Sequence, residues 1–320
     1  MKVLVVGGAG FIGSYVVDYL LGSNLAESVV VYDNFSAGTR AHLRQHKDDR
    51  RVTMCANDIY DSAIFAAAEG ASLAIHLAAN PDIAKALTEP DIDFHQGTAL
   101  TQIVLEALRK GGCRHLLYAS GSGVYGDVGS ERVSETFAPM SPISTYGASK
   151  LACEALICSY CAMFGLKASA FRFGNVVGGR QTHGVAYDFL KKLRADPSRL
   201  EVMGNGHQSK PYIDVADAVE AMFIAYRAQS AAFDAYNVAP DDFTSVREIV
   251  GIVLREMGIP DGQCAVSYGE LGRGWKGDVP IVRLNSDKIR ALGWSNRYTS
   301  TEAMRRSVQA MLADADGRPA

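Results

Sequence analysis

Short continuous apolar runs recur through the first half of the chain and predict strands over 2–6, 28–32, 51–55, 73–77, 115–119 and 167–172. An unbroken, β-branched run is the pattern of a strand buried on both faces, as in a parallel sheet. Helical periodicity, or loops of small and polar residues, fills the intervals. The alternation predicts an α/β fold, a doubly wound parallel sheet. Helices over about 97–110 and 146–164 are rich in small residues, among them Ala99, Ala148, Ala152 and Ala155. That composition permits close helix packing, either inside the chain or across a homodimer interface formed by these two helices. From about Gly174 the pattern gives way to glycine-rich, charged loops (Gly178-Gly179-Arg180, Gly204-Asn205-Gly206) and isolated helices. A strand-like Tyr236-Asn237-Val238 among them is expected to return to the sheet.

The first strand breaks into Gly7-Gly8-Ala9-Gly10-Phe11-Ile12-Gly13 and then a helical pattern. The run reads as G-x-G-x-x-G from Gly8 or as G-x-x-G-x-x-G from Gly7. Either way, residues without Cβ let the backbone approach a pyrophosphate. Its charge is favoured by the free N–H groups and positive dipole end of the following helix. The second strand run, Val29 to Tyr32, ends in Asp33, about twenty residues past the last glycine, where a carboxylate can bond the ribose hydroxyls of an adenosine. Together they predict a Rossmann-type dinucleotide-binding domain over 1–173 with a return segment at 212–240. A smaller, interleaved substrate domain is expected over 174–211 and 241–320. Asp33 would repel a 2′-phosphate, which favours NAD over NADP; Arg40 is the one nearby counter-argument.

At 320 residues, 48% hydrophobic and with a formal charge of −3, the chain has no basic field for nucleic acid. Glycines interrupt the apolar N-terminus, which argues against a signal peptide, and no apolar run approaches a membrane span. The six cysteines form no disulfide framework, and a reducing cytoplasm is the simplest compartment. Cys158-Ser159-Tyr160-Cys161 lies in a helical pattern without a second pair, so no metal site is expected. The tail over 313–320 is expected to fray.

Tyr146-Gly147-Ala148-Ser149-Lys150 opens a helix after Pro142. Tyr and Lys four apart share a helical face, so the ammonium can stabilise a phenolate. After a complete dinucleotide fingerprint this pair reads as catalytic.

With these pieces the chain resembles the extended short-chain dehydrogenase/reductase family, in particular its nucleotide-sugar epimerases and dehydratases. The matching segments also include Asp33-Asn34-Phe35-Ser36-Ala37-Gly38, His76-Leu77-Ala78-Ala79, Val124-Tyr125-Gly126, Arg172-Phe173-Gly174-Asn175-Val176, Gly204-Asn205-Gly206-His207-Gln208 and Gly277-Asp278-Val279. The resemblance implies that Gly7, Gly10, Phe11, Ile12 and Gly13 hold the NAD pyrophosphate. It implies that Asp33 and Asn34, with Ser36 and Gly38, hold the adenosine ribose, and that Asp58 and Ile59 hold the adenine. Leu77, Ala78, Ala79 and Phe173 would line the rest of the cofactor, with Tyr146 and Lys150 at its nicotinamide end. Asn175, Lys210, Arg273 and Asp278, together with Ser122 and Tyr146, would meet a nucleoside-diphosphate sugar. His76 reads as a strand-end residue without chemistry.

Several positions depart from the family pattern. The catalytic Ser or Thr expected three residues before Val124 is Gly121, flanked by Ser120 and Ser122, with Ser122 the better substitute. The next two positions, acidic in dehydratases, are Ser122 and Gly123. Lys210-Pro211 stands for Arg-Asp, Trp275 for Arg and Phe94 for Asn. The expectation is therefore an NAD-dependent nucleotide-sugar 4-epimerase working through a transient 4-keto sugar. The alternatives are a dehydratase or net dehydrogenase of the same family, or an inactive NAD-binding module.

Overall fold

The computed structural model describes residues 1–315. Two compact units are woven from alternating segments. The first comprises Met1–Val124, Thr145–Arg172 and Val219–Tyr236; the second comprises Tyr125–Ser144, Phe173–Ala218 and the chain from Asn237 onward.

The first unit is built on a seven-stranded sheet. Its strands are β1 (Lys2–Val6), β2 (Ser28–Tyr32), β3 (Val52–Cys55), β4 (Leu73–His76), β5 (His115–Gly121), β6 (Lys167–Phe173) and an edge strand, Phe233–Val238. The order is edge strand, β6, β5, β4, β1, β2, β3. The pairs β1–β2, β2–β3, β1–β4 and β4–β5 are parallel. Val3 to Val6 are at most 1% exposed, as the continuous run requires of a central strand. One core layer joins Leu4, Tyr32, Leu116 and Tyr118 to Ile64 of α2 (Ala63–Ala68), Val104, Leu105 and Leu108 of α3 (Leu100–Gly111), and Cys153 and Ile157 of α4 (Thr145–Phe164). Each such fully buried aliphatic side chain contributes about 1.5–3 kcal/mol. The chain turns back between β1 and β4, which puts a topological switch point at their carboxyl ends, the usual ligand position in an open α/β sheet.

The second unit has its own core, in which Phe189, Leu190, Ile249, Val253, Met304 and Val308 pack together. They come from the helices Val185–Ala195, Val246–Glu256 and Ser300–Ala315.

Three boundaries differ from the sequence expectation. The first unit takes back only Val219–Tyr236, and the return strand begins at Phe233. Tyr125–Ser144 groups with the second unit: Val133 N–H donates to Arg283 O (2.9 Å), while Asn285 N–H and Asn237 Nδ2 donate to Val133 O. These pairings join residues far apart in sequence and leave no local periodicity. Ala313–Ala315 continue the last helix, and the remainder of the expected frayed tail, 316–320, lies outside the described residues.

Candidate active site

Register decides how the candidate cofactor residues meet. Val6 pairs with Tyr32 across β1 and β2, so the strand ends deliver Gly7 and Asp33 side by side, and Gly7 N–H donates to Tyr32 O at 2.8 Å. Gly7 has φ +80°, and a Cβ there would stand 2.7 Å from the Ala78 nitrogen. Only glycine lets the turn lie flush against Leu77 and Ala78, just past the end of β4. A Cβ at Gly13 would come 2.7 Å from Gly8 Cα, so α1 (Phe11–Gly22) packs directly on the same turn. Gly10 precedes α1 with no side-chain cap, and the first turn carries no acidic residue. The amides of Phe11, Ile12 and Gly13 have no partner within the helix. That donor set fits a pyrophosphate.

Asp33 is buried, and its two carboxylate oxygens accept from Ala9 N–H (2.9 Å) and Phe35 N–H (2.8 Å). A carboxylate has about four lone-pair positions, so acceptor capacity remains for ribose hydroxyls. Asn34 Oδ1 accepts both Ser36 N–H and Ser36 Oγ–H, and Asn34 Nδ2 donates to Asp58 Oδ2 at 2.8 Å. Gly38 lies against Ala9, where a Cβ would be 2.7 Å from the carbonyl carbon. Ile59 is buried beside Asp58. Arg40 rests on the Phe35 ring, 4.6 Å from its centroid. Glycine turn, helix amides and ribose carboxylate together fit NAD.

The candidate catalytic pair sits on α4. Tyr146 is half-buried in its first turn, and Lys150 is buried one turn on. Lys150 Nζ donates to the carbonyl of Ala119 (2.6 Å) and lies 5.5 Å from the Tyr146 ring centroid and 4.9 Å from that of Tyr118. The two candidate serines part company here. Ser120 points inward and donates to Glu154 Oε1 at 2.5 Å, and Glu154 is ion-paired with Arg172. Ser122 is half-buried in the turn Ser122–Tyr125, and its hydroxyl has no partner among the described residues. That turn lies on α4, since a Cβ at Gly123 would be 3.5 Å from Gly147 Cα, whereas a Cβ at Gly121 would meet nothing within 4 Å.

His76 is fully buried, with Nε2 3.0 Å from Thr101 Oγ1. Burial, reinforced by the Lys150 charge, pushes it down to about 3, so it is neutral at physiological pH. Cys158 is exposed and Cys161 buried, its thiol pushed up to about 11 by burial; among the described residues no three His, Cys, Asp or Glu side chains converge on a metal position. The Ala119 carbonyl and the Glu154–Arg172 pair are not among the residues expected from the sequence. The signal for Glu154 was available, because it continues the Tyr146–Lys150 spacing by another four residues.

In the second unit, Lys210 Nζ donates to Asp278 Oδ1 (2.6 Å), whose other oxygen accepts Gly274 N–H. Arg273 pairs with Asp127 at 2.6 Å. Asn175 hydrogen-bonds the buried Tyr212, whose phenol burial pushes well up. Phe173 is buried. Arg273, Trp275 and Lys276 line a hollow of about 550 Å³ with Leu271 and Pro280.

Residues 3–239 match the model of the NAD dependent epimerase/dehydratase family. The chain is 29% identical over 317 residues to the UDP-glucose 4-epimerase of Mycolicibacterium smegmatis, covering 97% of this chain and 98% of the relative. Among solved structures, it is 36% identical to a UDP-galactose 4-epimerase, with TM-score 0.85 over 98% of this chain and 99% of that one. The dTDP-glucose 4,6-dehydratase of Streptomyces venezuelae, solved with NAD, is 25% identical with TM-score 0.90 over 99% of each chain. With the glycine turn, Asp33 and the Tyr146–Lys150 pair in place, the match over most of its length makes this chain a member of the NAD-dependent epimerase/dehydratase family.

Proposed function

We propose that the protein is an NAD-dependent 4-epimerase of a nucleoside-diphosphate hexose, with UDP-hexoses the first candidates. The observation that carries this reading is the turn after β5. It sets Ser122 and Gly123, with no carboxylate, beside the helix that holds Tyr146 and Lys150. Elimination of water needs an acid and a base at those positions, whereas epimerisation needs only proton transfer at the 4-hydroxyl and a hydride relay. The names of the relatives support the same choice over the dehydratases.

In this mechanism the Tyr146 phenolate takes the proton of the sugar 4-hydroxyl as the C4 hydride departs. Bound NAD supplies the hydride acceptor and afterwards the donor. Lys150, oriented by the Ala119 carbonyl, stabilises the phenolate and has donors left for a ribose hydroxyl. Ser122 bonds the 4-oxygen in place of the hydroxyl missing at Gly121. The 4-keto sugar then turns its other face, the hydride returns, and Tyr146 gives back its proton. Asn175, Lys210 and Arg273 serve the nucleotide diphosphate, Lys210 as a point charge without an arginine fork, and Asp278 holds Lys210 in place for the nucleotide sugar.

α4 also exposes Ala148, Ala155 and Ala162, spaced two helical turns apart along a single face. This small-residue face supports a homodimer in a cytoplasmic enzyme, measurable by sedimentation equilibrium. The functional test is incubation with UDP-, GDP-, CDP- and dTDP-hexoses, followed by mass spectrometry and NMR. The expected result is a C4 epimer of unchanged mass without accumulation of NADH. Loss of water, or net NADH formation, would replace this reading with elimination or dehydrogenation.

A further inference from the structure

We propose that Glu154 is a positioning residue for the catalytic pair, acting through Ser120 and the Ala119 carbonyl; the inference rests on Tyr146 being the base. Tyr146, Lys150 and Glu154 follow one another at four-residue spacing on α4, so their side chains rise along one face. The last two meet consecutive residues of β5. Lys150 Nζ donates to Ala119 O at 2.6 Å, and Glu154 Oε1 accepts Ser120 Oγ–H at 2.5 Å. On its far side Glu154 is gripped by Arg172 of β6, the strand next to β5, through Nε (3.1 and 3.2 Å) and Nη2 (2.6 Å). Ser120, Glu154 and Arg172 are 6%, 4% and 4% exposed.

Taking two charges out of water is costly, and apolar side chains of similar volume often hold such layers as well or better. Directed hydrogen bonds are what such a replacement could not supply. Glu154 locks the end of β5 in register against α4 through Ser120, and the adjacent Ala119 carbonyl is the acceptor that holds the ammonium beside the Tyr146 ring. Gly121, the next residue, has no side chain, and a Cβ there would meet nothing within 4 Å, so it adds no anchor of its own. The other groups facing the ammonium are the Tyr118 ring from β5 and the neutral His76 from β4, neither of which supplies a charge to orient it.

The test follows the phenolate absorbance of Tyr146 in NAD-loaded protein, isolated by subtracting a Tyr146→Phe partner in each background. In Ser120→Ala the ion pair stays intact while the tether to β5 is cut. The Tyr146 signal is expected to develop about half a pH unit or more higher, with kcat on a UDP-hexose about three- to tenfold lower and KM within about twofold. Ser120→Thr keeps the hydroxyl and should restore both. Glu154→Leu combined with Arg172→Met should reproduce the Ser120→Ala displacement without lowering Tm. An unmoved Tyr146 titration in Ser120→Ala overturns the proposal, whether or not the paired variant folds, and leaves Glu154 a packing element. The titration needs no substrate. A wild type that turns over no nucleotide sugar would therefore sink the functional reading and leave this result standing.

Discussion

The Asp33 carboxylate accepts the Ala9 amide at 2.9 Å, which ties the end of β2 to the glycine turn at the end of β1. Its other oxygen accepts the Phe35 amide. One side chain thus braces the glycine turn and the loop that follows β2, and keeps acceptor capacity for the ribose proposed to bind there. In the proposed complex, removing it would cost the ribose contacts and the order of the loop together.

Asp33→Ala should therefore weaken NAD binding by at least tenfold and narrow the preference for NAD over NADP. Loss of one charge-assisted hydrogen bond alone corresponds to about 1.5–3 kcal/mol. Titration of cofactor-free protein with both dinucleotides measures this. Equal affinities for the two in the wild type would contradict the role assigned to Asp33.

Tyr146→Phe should abolish turnover, by three or more orders of magnitude, while the dissociation constant for NAD changes less than about threefold. The substitution removes a proton acceptor and keeps the ring. Lys150→Ala should damage both quantities, because its ammonium serves the phenolate and, in the proposed complex, a ribose hydroxyl. It also leaves the Ala119 carbonyl without its donor. Steady-state kinetics and cofactor titration on the two variants separate the roles.

Much of the candidate site was legible from the sequence because its parts are local. The glycine turn, Asp33 at a strand end and the four-residue spacing of Tyr146 and Lys150 each lie within one element and its cap. What was not legible depends on tertiary register. Whether Ser120 or Ser122 faces the site is decided by the end of β5 at Gly121, which leaves Ser122 in the following turn, and by the partner waiting for Ser120 at Glu154, thirty-four residues away. The loop Tyr125–Ser144 has no periodicity to show that Val133 bridges to Leu284. The ion pairs of Lys210 with Asp278 and Arg273 with Asp127 are likewise long-range.

Stability should fall with acid because of His76. Its folded value is depressed to about 3 from 6.5, so between those values the unfolded chain binds a proton that the folded chain refuses. The stability is fully present above pH 6.5 and is lost as pH drops toward 3, with a slope of up to about 1.4 kcal/mol per pH unit. Urea unfolding at pH 7 and 5 should show the wild type losing about 2 kcal/mol more than His76→Gln. Parallel losses in both proteins would mean that His76 is not the group responsible.

Lys210 is held 2.6 Å from Asp278 by an ion pair that is largely out of solvent. An incoming diphosphate would have to share that ammonium. Lys210→Ala should raise KM for the nucleotide sugar about tenfold or more with kcat within about threefold, the signature of lost ground-state binding. Asp278→Asn keeps the lysine and relaxes its tether, and should change KM less. A fall in kcat with unchanged KM would move Lys210 from substrate binding to the chemistry.

The hydroxyl missing at Gly121 gives the sharpest comparison. Ser120 is committed to Glu154, while Ser122 has no partner among the described residues, which makes Ser122 the serine proposed to bond the sugar 4-oxygen. Ser122→Ala should lower kcat about ten- to a hundredfold, the kinetic equivalent of about 1.5–3 kcal/mol of charge-assisted hydrogen bonding. Ser120→Ala, which acts only through position, should cost less. Gly121→Ser faces no steric obstacle, since a Cβ there meets nothing within 4 Å and the backbone needs no positive φ. It should be tolerated, and should partly rescue Ser122→Ala in the double variant by returning a hydroxyl from one residue earlier. The four kcat values on one confirmed substrate decide the matter: Ser122→Ala at wild-type rate would make Ser122 a spacer in the turn.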